Sequence, residues 1–205
     1  MNVLSFTRGL AVGVSIVGAL AMSLAALPAS AASAASPATA PTTSPTTAPA
    51  PLQAIAKLDL PRYMGTWYEL GRYPNRFQRN CVGGTSATYA VQPDASVRVT
   101  NRCRNASGGI DEAVGQARRT GEPDGATLQV RFAPAWLSWL PFVWGTYWVV
   151  DLDANYQLAI VSEPSREYLW VLSRTPQITP AAWAAVSQRL SQLGFDPQRV
   201  VRDGP

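Results

Sequence analysis

The chain has 205 residues, 47% hydrophobic and 15% charged, with a formal net charge of +4, two cysteines and no histidine. The missing histidine excludes Ser-His-Asp and Cys-His catalysis, histidine-ligated metals and histidine pH switches within this chain. Two cysteines are too few for a zinc or iron–sulfur centre held by thiolates alone, and no metal or cofactor is expected.

The N-terminal quarter lacks the pattern of a folded domain. Arg8 precedes an uncharged run from Gly9 to Leu27, and Pro28 leads into Ala29-Ser30-Ala31, a small-x-small site of the kind a signal peptidase cuts. Residues 1–31 are therefore read as an export signal, the alternative being an uncleaved membrane anchor. Residues 32–51 contain only Ala, Ser, Pro and Thr, so they offer nothing large to bury. A disordered tether is expected over 32–57 and one folded domain over 58–205. Arg8 is the one charged residue of the first 31, so the exported chain carries +3, too mild a balance to argue for nucleic acid.

The remainder reads as a β-meander closed by one helix. Strands are expected over 67–73, 82–92, 97–104, 110–120, 126–133, 145–152, 156–163 and 167–175, from period-two alternation or short apolar runs bounded by turn residues. In the third, Val97, Val99, Asn101 and Cys103 share one face against Arg98, Thr100, Arg102 and Arg104. Eight antiparallel strands in succession suggest an all-β up-and-down barrel, which removes exposed sheet edges; a sandwich is the alternative. The helix follows, with Thr179 as cap, Pro180 in the first turn and Gly194 at the end. Trp183, Val186, Leu190 and Leu193 form its apolar stripe, and it is expected to pack outside the sheet.

Three ordered motifs carry a resemblance. Gly65-Thr66-Trp67-Tyr68-Glu69 resembles the first block of lipocalins, Leu152-Asp153-Ala154-Asn155-Tyr156 the second, and Leu169-Trp170-Val171-Leu172-Ser173-Arg174-Thr175 the third. Arg76-Phe77, Ala87-Thr88-Tyr89 and Gly194-Phe195-Asp196 match between and after them. The chain is similar to bacterial lipocalins of the outer-membrane type, in the apolipoprotein D-like family. The resemblance implies an eight-stranded calyx with a C-terminal helix outside, closed by Arg174 lying across Trp67. It also implies small hydrophobic ligands such as fatty acids and lysophospholipids. Two departures stand out. The well-known bacterial members carry a lipid on an N-terminal cysteine that this chain lacks, so lipid anchoring is not carried over. The second block also replaces the commonest Thr-Asp-Tyr wording while keeping Asp153 and Tyr156.

Residues 135–144 are almost wholly apolar, yet they fall in the loop between the fifth and sixth strands. That loop shares an end of the barrel with the one carrying Phe77, so an aromatic lip of Phe77, Trp136, Trp139, Phe142 and Trp144 is expected around the mouth. It would receive a lipid tail or meet a membrane surface; inward folding to plug the barrel is the bland alternative. Tyr89 and Tyr147 are further wall candidates, Tyr147 and Trp148 pointing to opposite faces. Cys81 and Cys103 fall on neighbouring antiparallel strands of an exported protein, and a disulfide is expected. The reading is an exported, periplasmic or secreted, non-enzymatic lipid carrier, monomeric or homodimeric. The alternatives are an isomerase or de-epoxidase using a buried carboxylate such as Glu69 or Asp151, or a membrane- or partner-contact protein.

Overall fold

A computed structural model describes residues 50–204; the expected export signal lies outside the described residues. Eight antiparallel strands follow one another around a barrel: β1 (Gly65–Arg72), β2 (Cys81–Val91), β3 (Val97–Asn105), β4 (Ile110–Arg119), β5 (Thr127–Arg131), β6 (Gly145–Leu152), β7 (Leu158–Ser162) and β8 (Leu169–Ser173). Each pairs with the next, and β1 pairs with both β2 and β8, which closes the cylinder. The barrel architecture, rather than the sandwich, follows from that last pairing.

The expected strands differ from the observed ones mainly at their ends. Tyr156 and Glu167 belong to turns. Asp153 accepts hydrogen bonds from the amides of Asn155, Gln157 and Leu158 (2.9, 2.5 and 2.6 Å), with Tyr156 in the left-handed region at φ 59°. Glu163 caps the next turn by accepting from the amides of Ser165, Glu167 and Tyr168. In each case a carboxylate offers the backbone a local partner that competes with the ladder.

Two elements had no counterpart in the strand pattern. A single-turn helix α1 (Leu60–Tyr63) precedes β1, capped by the Asp59 side chain and with Pro61 in its first turn. Gly65 turns from it into β1 with φ +90°, a conformation open to glycine. At the far terminus, a short strand β9 (Val201–Arg202) pairs with Gly71 and Arg72 where β1 has parted from β2. Gly204 and Asp203 then bridge to β2, the Gly204 carbonyl accepting from Gly84 N–H (3.0 Å) and Asp203 Oδ2 from Thr85 N–H (2.8 Å). A Cβ on Gly71 would come within 2.8 Å of Val200, so the strap passes where only a glycine lets it.

Helix α2 (Pro180–Gln192) packs outside the barrel as expected, burying Val186 and Leu190 with Trp183 and Leu193 partly covered. Its outer core includes Leu70, Ile160 and Val171, while the inner core at the closed end is built on Trp67, Tyr63 and Leu58. Residues 50–57, expected as the end of the tether, lie against the barrel. Leu52 is buried in the outer core, Ile55 N–H donates to the Val149 carbonyl (2.9 Å), and Leu58 N–H to the Asp124 carbonyl (2.7 Å). Three apolar side chains in this strap, Leu52, Ile55 and Leu58, supply what the Ala-Ser-Pro-Thr run before it lacks.

Candidate functional site

Inward positions of β1 to β6 and β8 enclose a cavity of about 710 Å³, open at the end where β1, β3, β5 and β7 finish. Its wall is mainly apolar, with Val97, Val99, Ala117, Leu128, Val130 and Leu172 among the lining. The face expected for the third strand holds: Val97, Val99, Asn101 and Cys103 all line the cavity.

The floor is aromatic. Trp67 donates its indole N–H to the Tyr63 carbonyl (2.8 Å), and the two rings lie 4.9 Å apart. Above them the Tyr147 hydroxyl sits between those of Tyr63 (2.8 Å) and Tyr89 (3.0 Å). Burial pushes Tyr63 and Tyr147 well above the usual tyrosine value and Tyr89 up to about 12. The three hydroxyls therefore stay neutral at physiological pH and present no charge to a ligand.

Below the floor, the Arg174 guanidinium lies 3.9 Å from the Trp67 ring centre and donates to the carbonyls of Thr66 (2.9 Å), Arg62 (2.9 Å) and Tyr156 (3.3 Å). Tyr156 receives the Asp59 amide on its hydroxyl (3.0 Å) and lies under the Arg62 guanidinium. Gly65, Trp67, Asp153, Tyr156 and Arg174 thus form the closed end together.

Four carboxylates line the cavity: Asp111, Glu163 and Glu167 near its mouth, and Glu69 deeper in the wall. Glu69 is buried, accepting from Arg72 (2.8 Å) and from the Gln78 amide (2.7 Å); Gln78 in turn accepts from the Trp170 indole (2.9 Å). Burial raises the Glu69 carboxyl above its ordinary value, against the opposing pull of Gln78 and Arg72. Asp151, the other carboxylate considered for acid–base work, is outside the barrel, bound to Arg189 of α2 (2.7 Å).

Seven residues were expected to hold a ligand. Phe77, Tyr89, Phe142, Trp144 and Tyr147 line the cavity; Trp136 and Trp139 do not. The aromatic loop folds as two short 3-10 turns, Ala135–Leu137 and Pro141–Val143, and does not plug the barrel. The Trp144 ring is held by Arg118 (4.0 Å) and Arg131 (5.1 Å), while its indole donates to the Ser138 carbonyl (2.8 Å). Tyr147 points inward and Trp148 joins the outer core, as alternation requires. Cys81 and Cys103 are joined by a disulfide across β2 and β3, their Cα atoms 5.6 Å apart.

Tyr63, Gln78, Tyr168 and Trp170 also line the cavity and were not anticipated. The signal for Tyr63 was present in Asp59-Leu60-Pro61, a cap and a first-turn proline that mark a helix start. The others come from turns or from the third block, where no local pattern marks a cavity face.

Residues 58–204 match the family described as lipocalin-like domain. The chain is 37% identical over 148 residues to temperature-induced lipocalin-1 of Arabidopsis thaliana, covering 71% of this chain and 78% of that protein. It is 36% identical over 148 residues to outer membrane lipoprotein Blc of Escherichia coli K12 (72% and 79% covered), and 25% identical over 149 residues to mouse apolipoprotein D (69% and 74%). Among solved structures, insecticyanin from the tobacco hornworm Manduca sexta superposes with a TM-score of 0.58 at 16% identity, covering 75% of this chain and 84% of that one. The cockroach allergen Per a 4 gives 0.57 at 22% identity (74% and 92%). At those identities the structural likeness concerns the fold alone.

Proposed function

This chain belongs to the lipocalin family, and from that premise we propose that its cup binds a single-chain lipid, a fatty acid or lysophospholipid, for storage or transport outside the cytoplasmic membrane. One observation carries the reading: a cavity of about 710 Å³ with one mouth, an apolar wall and an uncharged tyrosine floor. Such a volume is in the range of small-molecule sites. Each methylene drawn from water into it contributes about 0.8 kcal/mol, so an acyl chain binds without a strong polar contact. Phe77, Phe142 and Trp144 surround the mouth where the head group emerges, with Tyr89 and Tyr147 at the tail end. The disulfide favours an oxidising compartment, in line with the export signal read at residues 1–31. Glu69 has both carboxylate oxygens occupied by Arg72 and Gln78, an arrangement that favours a wall group over a proton shuttle.

The test is to fill the cup. Ala87 lines the cavity on β2, opposite Asn101 of β3. In a titration with a fluorescent fatty acid, Ala87→Trp is expected to weaken binding at least about tenfold, the loss of two or so buried methylenes. Unchanged affinity in the folded variant contradicts the assignment.

A further inference from the structure

The two ends of the barrel differ in the aromatic side chains they expose. Among the described residues every exposed Phe or Trp is at the mouth: Phe77 (63% exposed), Phe132, Trp136 (73%), Trp139 (76%) and Phe142 (80%). The turn between β3 and β4, at the same end, adds exposed Ile110. Residues 132–144 carry no charge at all. The connections at the other end, 92–96, 120–126 and 153–157, hold no Phe or Trp; carboxylates occur at both ends, Asp94, Glu122, Asp124 and Asp153 there and Asp111, Glu112, Glu163 and Glu167 at the mouth.

Trp136 and Trp139 touch neither the cavity nor either core cluster, so binding a ligand in the cup leaves them in water. A set of exposed large apolar side chains gathered at one end marks contact with a second phase or partner. Beside it, residues 73–80 contribute Arg76 and Arg79, both exposed, with no acidic residue in that loop and no ion pair to either among the described residues. Indole rings beside guanidinium groups fit the boundary between acyl chains and anionic head groups.

Ala50, the first described residue, is tied by its carbonyl to Arg166 (2.6 Å) in the turn between β7 and β8, and that turn supplies Glu163, Glu167 and Tyr168 to the mouth.

We infer that the mouth end docks on an anionic phospholipid bilayer, Trp136, Trp139 and Phe142 entering the interface and Arg76 and Arg79 meeting head groups, so that lipid exchanges between bilayer and cup without crossing water. The inference deepens the lipid-binding reading and depends on it for the cargo alone. The experiment is flotation of the full exported protein with vesicles of phosphatidylethanolamine and phosphatidylglycerol, beside phosphatidylcholine vesicles, with brominated lipid as a tryptophan quencher. The expected result is flotation on the anionic vesicles with quenching, lowered at least about tenfold in Trp136→Ser/Trp139→Ser, which removes two exposed indoles from the interface. Arg79→Gln, at a position that does not line the cavity, is expected to weaken the preference for phosphatidylglycerol while leaving fold and cup intact. Fatty-acid affinity of the double tryptophan variant stays unchanged, because neither residue lines the cavity; that readout separates failure of docking from failure of ligand binding. Absence of flotation, or equal flotation of the double tryptophan variant, overturns the inference. So does a dimer in sedimentation that the double variant dissolves without any flotation, which would make the rim a contact between two copies.

Discussion

The Arg174 guanidinium covers the Trp67 indole at 3.9 Å while three of its N–H groups engage carbonyls from α1, β1 and the turn before β7. One side chain thus ties the start of the barrel to its end. The contact joins residues 107 positions apart in sequence, and the aromatic floor of the cup rests on it.

Replacing Arg174 with Met keeps the stem but removes the charge and all three donors. A loss of roughly 2–4 kcal/mol is expected, since cation–π contact and charged hydrogen bonds each contribute on the order of 1–3 kcal/mol and do not add fully. Urea unfolding followed by near-ultraviolet circular dichroism checks this; an unchanged midpoint contradicts the closing role.

Glu69 gives a pH dependence of a definite sign. Its folded pKa is raised above the ordinary value of 4.5, so the native state holds the proton more tightly than the unfolded chain. Stability from this group is fully present below 4.5 and is lost as pH rises through the folded value. Asp94, Asp124 and Glu163 are lowered and act in the opposite direction, being lost on acidification. The comparison that isolates Glu69 is Glu69→Gln against the native protein at pH 7 and at pH 4.5. The native protein is expected to gain on the variant as pH falls; a constant difference contradicts the raised value.

The C-terminal strap seals the seam where β1 parts from β2. Asp203 accepts from the Thr85 amide and hydroxyl (2.8 and 3.1 Å) and faces Arg72 (3.6 Å), beside the Glu69 wall. Asp203→Ala is expected to destabilise the protein by about 2–3 kcal/mol, because it leaves a buried amide and a buried guanidinium short of a partner. Hydrogen exchange at Gly84 and Thr85 should rise in the variant while β5 and β6 keep their protection. Unaltered exchange at those two amides contradicts a sealing role.

The disulfide spans 22 residues of sequence, from the mouth end of β2 to that of β3. Cys81→Ser/Cys103→Ser is expected to lower unfolding free energy by about 3 kcal/mol, chiefly by freeing the unfolded chain. A thermal midpoint unaffected by the double substitution contradicts this.

The strands and α2 were legible because alternation, turn residues and a capped apolar stripe are local. Barrel closure was legible through the three blocks, which name Trp67 and Arg174 together. The strap at 50–58 and β9 were not, since Leu52, Ile55 and Val201 have no periodicity and find their partners only in space. The aromatic loop was placed at the right end, but its residues divide by position: Phe142 and Trp144 line the cavity, and Trp136 and Trp139 are exposed outside it. Adjacent residues in a loop of two 3-10 turns point in directions that spacing alone does not fix.

The most direct measurement is native mass spectrometry of the protein purified from its own host, before and after organic extraction and after adding back oleate or a lysophospholipid. The expected spectrum shows one discrete adduct in the lipid mass range, removed by extraction, restored at one per chain, and absent from Ala87→Trp. A chain that carries no adduct and takes up neither lipid, or an Ala87→Trp variant that takes up the lipid as fully as the native protein, contradicts a lipid held in the cup.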